Sequence, residues 1–149
     1  MKIRRSIAAA GAAAVLGGTA AFLVPAAASA HDATHTLTFT AVAENSVMFT
    51  ATTRAVQDTD FNSAGTTIGF DNLYLTFTST TAASGTATLD IQGGFLYATL
   101  ATTNGGQTFS GKVTGGTGAF TGATGTVAAD PAALVAVVNV TYSTQNSQG

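Results

Sequence analysis

The chain has 149 residues, 7 of them acidic and 5 basic, which is the length of one domain or a little more. Three of the cations, Lys2, Arg4 and Arg5, sit in the first five positions, so the remainder sets only Arg54 and Lys112 against all seven carboxylates. Two cations cannot neutralise a run of phosphates, which excludes a nucleic-acid binder and disfavours an anionic membrane surface. With 46% hydrophobic and 8% charged residues, the chain is unlike a disordered acidic tail and can bury a core.

The first thirty residues read as an export signal. Lys2, Arg4 and Arg5 make a positive start, an apolar, alanine-rich run follows from Ile7 to Leu23, and Ala28-Ser29-Ala30 offers the small residues a signal peptidase needs. The run is too weakly apolar, and too interrupted by Pro25, for a permanent anchor. The expected organisation is therefore a secretory signal over 1–30 and one domain over 31–149, 119 residues long, secreted from a bacterium and free of the membrane after cleavage. With no cysteine, an exported domain of this kind has to hold together by packing and sheet hydrogen bonds alone.

Thr fills 27 of the 119 positions after residue 30, and its branched side chain favours strands. Apolar and polar residues alternate over 36–41 and again over 47–52, the period of half-buried strands. Glu44-Asn45-Ser46 makes a turn between them, or the two runs form one long bent strand. A polar loop is expected over 58–64, followed by strands over 66–78, 86–92, 95–102, 107–114, 121–129 and 134–142. Turn residues separate these, Asn104-Gly105-Gly106 among them. Eight short strands with no helical crossover predict an all-β fold, a single eight-stranded antiparallel barrel, with a sandwich as the alternative. The last strand, Leu134-Val135-Ala136-Val137-Val138-Asn139-Val140, is apolar on both faces. Its outer face is expected to be covered by another subunit, a trimer or dimer.

The most specific local feature is Thr114-Gly115-Gly116-Thr117-Gly118-Ala119-Phe120-Thr121-Gly122-Ala123-Thr124-Gly125. Here Gly115, Gly116 and Gly118 suit a tight connection, and Gly122 and Gly125 suit a barrel corner or a close backbone approach. This stretch resembles the glycine hairpin of the allene oxide cyclase and dirigent protein superfamily. The spacing of Gly65 and Gly69 ahead of an aromatic-rich strand, and Gly93-Gly94 before the strand at 95–100, are similar too. The resemblance implies an eight-stranded barrel with an apolar central cavity, trimeric in plant members. It also implies isomerase or cyclase chemistry, or dirigent steering of radical coupling, in which cavity shape does much of the work. No catalytic residue of the superfamily aligns by motif.

Read residue by residue, the chain offers little conventional chemistry. The stretch 106–112 has the glycine and lysine spacing of a phosphate loop, but Val113 replaces the Mg²⁺-binding hydroxyl and a strand pattern runs through it. A copper brace on an N-terminal His31 would need a second imidazole. The other histidine, His35, lies four residues on, about 13 Å along an extended chain, so no metal and no cofactor is expected. No Gly-x-Ser-x-Gly elbow is present, and Asn139-Val140-Thr141 is a chance glycosylation triplet. Asp32, Asp58, Asp60 and Asp130 fall in expected loops or ends and read as solvated, and Glu44 and Arg54 could pair across the first turn. Asp71 and His35 share the inward parity of Leu73 and Leu37, which places them near barrel openings as polar or proton-transfer groups. The aromatics Phe39, Phe49, Phe77 and Phe109, with Asp71, are the expected ligand-cavity residues.

These readings converge on a barrel that binds a small apolar molecule in its central cavity, with or without isomerase activity. The competing class is a noncatalytic extracellular structural or interaction protein. A barrel plugged by its aromatics would favour the second, and a pocket of several hundred cubic ångströms the first.

Overall fold

The computed structural model describes residues 33–144. The expected signal over 1–30, with His31 and Asp32, lies outside the described residues. Eight strands run in chain order: β1 (Thr34–Thr50), β2 (Thr53–Phe61), β3 (Thr67–Phe77), β4 (Ala83–Ile91), β5 (Gly94–Thr102), β6 (Phe109–Gly116), β7 (Thr124–Ala132) and β8 (Val135–Ser143). Each pairs antiparallel with its neighbours, and β8 returns to β1, so the sheet closes into a barrel. Closure leaves no sheet edge unpaired.

The eight expected strands number the same as the eight observed, but two of the correspondences differ. The runs at 36–41 and 47–52 belong to one strand, β1, with register shifts between Ala43 and Asn45 and between Met48 and Thr50 in its pairing with β2. The bulge thus falls where Glu44-Asn45-Ser46 was expected to turn the chain. Glu44 therefore does not close a hairpin against Arg54, whose Nε instead donates to Ser46 Oγ at 2.6 Å. The expected loop over 58–64 supplies the end of a strand, because Asp58 and Asp60 continue β2.

Period-two alternation gives the barrel its inside. Phe39 and Ala41, Ala87 and Leu89, Leu96, Ala98 and Leu100, Val127 and Ala129, and Val138 and Val140 all turn inward and are buried. Threonines occupy the intervening outward positions, where branched side chains suit the pleated surface. One end of the barrel is stoppered by a 3₁₀ turn, Gly118–Phe120, whose Phe120 ring is buried and stands edge-on to Tyr142 at 5.6 Å.

That stopper depends on the glycine-rich connection. Gly115 and Gly116 end β6, Gly122 precedes β7 and Gly125 lies within it. Gly118 opens the 3₁₀ turn with φ +58°, and a Cβ there would strike the Gly93 carbonyl oxygen. That oxygen accepts from the Ala119 amide at 2.9 Å, so neither backbone can withdraw without losing the bond. Gly118→Ala should therefore cost about 3 kcal/mol in chemical denaturation, positive φ and steric conflict acting together. Gly65→Ala, also at positive φ but facing open space, should cost about 1 kcal/mol. Equal losses at the two sites would refute the packing account.

Candidate functional site

The barrel encloses a cavity of about 320 Å³, inside the range of small-molecule sites. Its wall is aliphatic, with Val56, Leu73, Leu75, Ala87, Leu89, Leu100, Val127, Ala129 and Val138 drawn from β2, β3, β4, β5, β7 and β8. The mouth lies at the end opposite the Phe120 stopper. There Arg54, Phe77, Gly105, Gly106, Phe109 and Leu134 surround it. At the inner end Asp58 and Asp71 line the cavity.

Strand register brings these two carboxyls together. β2 presents Arg54, Val56, Asp58 and Asp60 to one face, a spacing of two that carries the chain from the mouth to the floor. In the β2–β3 ladder Asp58 stands directly opposite Asp71, and Asp60 stands opposite Gly69, where the Asp90 carbonyl and the Ile91 side chain leave no room for a Cβ. Directly opposed residues on one face of a sheet hold their Cβ atoms about 5 Å apart. Asp60 is 0% exposed, Asp71 4% and Asp58 8%. Both carboxyl oxygens of Asp60, and one oxygen each of Asp58 and Asp71, are buried without a hydrogen-bond partner.

Three carboxyls buried side by side resist ionising together, since burial penalises each charge and each charge repels the next. Burial, then the charges of Asp60 and Asp58, push the Asp71 carboxyl up to about 9. Burial, then the charge of Asp58, push Asp60 up to about 7. Burial also raises Asp58, against the lowering influence of Asp71 and of the Arg54 guanidinium. At neutral pH, then, Asp71 holds a proton and the cluster as a whole keeps at least one. Among the described residues no set of three or more histidine, cysteine, aspartate or glutamate side chains is arranged to hold a metal ion. With Asp71 protonated beside Asp58 and Asp60, the floor can give and accept protons.

The residues expected to line the cavity divide. Asp71, Phe77 and Phe109 line it, with Asp71 at the floor and not at an opening. Phe39 is buried in the core beneath the cavity, away from its lining. Phe49 does not line it: it lies at the outer end of β1, 61% exposed, with its ring 6.2 Å from that of Tyr74. The register shift between Ala43 and Asn45 in the β1–β2 pairing breaks the parity that had placed Phe49 with Phe39, and Phe49 itself falls within the second shift, between Met48 and Thr50. His35 is exposed and stacks on Tyr142, ring centroids 5.3 Å apart. Asp58 and Asp60, read from sequence as solvated loop residues, are the largest correction, because they are strand residues facing inward. Their spacing of two around the outward Thr59 was the signal that could have found them.

The fold and cavity define a class: a small closed antiparallel barrel with an interior binding space. No family model matches the chain, and no curated protein matches it in sequence. Among solved structures it is similar to a pyocyanin demethylase, with a TM-score of 0.64 and 18% identity over 72% of this chain and 99% of that one. It is also similar to the Diels Alderase AbmU from Streptomyces koyangensis, TM-score 0.58 and 11% identity over 81% of this chain and 73% of that one. A heme-binding cyclase that catalyses [4 + 2] cycloaddition during neoabyssomicin biosynthesis gives a TM-score of 0.61 and 12% identity over 81% and 72%. The structural neighbours are thus barrel cyclases and a demethylase, and at these identities the likeness is one of fold.

The carboxyl cluster makes stability depend on pH in a direction opposite to that of a salt-bridged protein. A carboxyl raised above its ordinary value of 3.8 keeps its proton in the folded chain while the unfolded chain loses it. The folded state therefore binds more protons, and stability falls as pH rises from about 4 through 7 and on towards 9. Each retained proton contributes a slope of up to about 1.4 kcal/mol per pH unit. Thermal unfolding should show a lower melting temperature at pH 8 than at pH 5, and Asp71→Asn should flatten that slope and stabilise the protein at pH 8. A melting temperature that rises across this range would show that the carboxyls are not held as described.

Proposed function

We propose that this protein is an exported barrel that binds a small apolar molecule in its cavity and acts on it as an isomerase or cyclase of the allene oxide cyclase and dirigent type. The observation that carries the reading is an aliphatic cavity ending on the Asp58–Asp71 pair. Apolar walls select and orient the ligand, and water excluded from them leaves the floor carboxyls in a medium where proton transfer is effective. Asp71, protonated at neutral pH, serves as the general acid, and Asp58 as the carboxylate that takes a proton back. The barrel cyclases and the demethylase among the structural neighbours support a fold able to house such work. The competing reading, a plugged structural barrel, is disfavoured because Phe77 and Phe109 stand at the mouth of the cavity and leave its interior open.

Export rests on the pattern of residues 1–30, and association rests on β8. Its residues Val135 and Val137 are exposed, as is Leu134 just before it, which supports a homo-oligomer formed through this strand and the loop that enters it.

Filling the cavity tests the reading. Ala129→Phe places a ring among the lining residues, and it should abolish binding of a neutral apolar probe, 1-naphthylmethanol, followed by its fluorescence. Wild-type protein should bind the probe at micromolar to submillimolar concentrations, and no saturable binding by wild type would overturn the proposal. Edman sequencing of protein recovered from culture medium should begin at or next to His31. A start elsewhere, or no protein in the medium, would overturn the export reading.

A further inference from the structure

The floor of the cavity is rich in hydrogen-bond acceptors and has no donor other than its own proton-bearing carboxyls. Asp58 and Asp71 line the cavity with Asp60 directly behind them, and four oxygens of the three groups are buried without a partner outside the cluster; the proton on Asp71 is shared with Asp58 or Asp60 and cannot serve all of them. The elements packed around them bring nothing to complement this. On β1 the residues opposite Asp58 and Asp60 are Ala43 and Ala41, and on β4 the residue opposite Asp71 is Leu89. Across the barrel the wall is Leu100, Val127, Ala129 and Val138. Among the described residues the one cation that lines the cavity, Arg54, is at the mouth, separated from Asp58 along β2 by Val56, and its Nε is engaged by Ser46.

Natural interiors seldom leave several acceptors unpaired, because each costs the hydrogen bond it had in water. A partner of the right sign has to be an N–H or O–H donor, and a positive charge would also relieve the mutual repulsion of the carboxyls. From this we infer that the ligand of the cavity is an apolar amine, bound in its protonated form with the ammonium on Asp58 and Asp71 and the hydrocarbon body against the aliphatic wall. This inference rests on reading the cavity as a ligand site. It narrows the ligand from any small apolar molecule to a hydrophobic organic cation and turns the apolar part toward the mouth. An anionic ligand would have to take the reverse orientation, its charge at Arg54.

Cation binding also has a consequence that shape alone does not produce. A positive charge placed on the floor favours the ionised carboxyls, so a proton held by the cluster at pH 8 leaves as the ammonium arrives. Uptake of a neutral ligand leaves those protons in place.

The test compares three molecules on one ring system: 1-naphthylmethylamine, 1-naphthylmethanol and 1-naphthoic acid, titrated into the full-length folded protein by calorimetry at pH 8. The amine should bind at least tenfold more tightly than the alcohol, and the acid more weakly than either. The amine's binding heat should differ between phosphate and Tris buffers by an amount that reports net proton release, whereas the alcohol's should not. Asp71→Asn and Asp58→Asn should each reduce the amine's affinity more than the alcohol's and bring the two closer together, with cooperative thermal unfolding showing that the variants are folded. Alcohol binding equal to or tighter than amine binding, or amine binding with no buffer dependence, overturns the inference and leaves the cavity a neutral site. Tightest binding by the acid overturns it in favour of Arg54. Binding by none of the three overturns the reading of the cavity as a ligand site altogether.

Discussion

The structure turns on the mutual repulsion of three carboxyls that strand register buries side by side. A closed barrel has a single interior, and a strand's inward parity is set by its pairing, not by the polarity of the residues that occupy it. Because Asp58 is opposite Asp71 and Asp60 is two residues further along the same face, no rotation of a side chain takes all three to water. The remaining escape is protonation. The interior therefore stays compact by holding protons, and the properties of the cavity floor follow from how many it holds.

The arrangement costs stability and would be hard to explain as scaffolding. Replacing a buried ionisable group by an apolar one of similar size is often neutral or stabilising, and β2 and β3 have apolar neighbours on every side ready to pack against a leucine. The two ends of the barrel differ in a way that gives the cost a direction. One end is shut by Phe120, Tyr142 and the glycine connection that positions them. The other is open between Arg54, Phe77 and Phe109. A molecule can enter only from the mouth, and the last groups it meets are the carboxyls.

Much of the fold was legible because polar and apolar residues alternate visibly in β1, β3 and β4 and turn residues separate the strands that follow, while β8 stood out as an apolar run. Closure was legible for the same reason, as were the turns at Gly93 and Asn104. Two features were not, and both arise where polar residues take inward positions. At 54–60 the sequence Arg54, Val56, Asp58, Asp60 is an inward face with one apolar member, so a reading that equates inward with apolar sees a loop. The shift at Glu44 changes which parity faces in and Phe49 falls within a second shift, so Phe49 joins the outer surface although it sits an even number of residues from Phe39. Asp71 was within reach because Leu73 and Leu75 keep the parity of β3 unambiguous. Its partners were marked only by their spacing of two around Thr59, because Val56 is the one apolar residue on their face and the burial of Asp58 and Asp60 is set by long-range pairing with β1 and β3.

The scarcity of charge in the chain bears on how strongly this cluster acts. With 8% charged residues overall, few other ions stand near enough to compensate the three carboxyls. Among the described residues Arg54 is the only cation in the lining of the cavity, and it lowers Asp58 without overcoming the effect of burial. In a heavily charged protein a lysine or arginine beside Asp60 would fix all three groups in the ionised state and leave nothing to titrate near neutral pH. Here the compensation is left to protons or to a bound molecule. The same low charge that excluded nucleic acid as a partner thus keeps the floor responsive, because the field a ligand experiences on reaching it comes almost entirely from Asp58, Asp60 and Asp71.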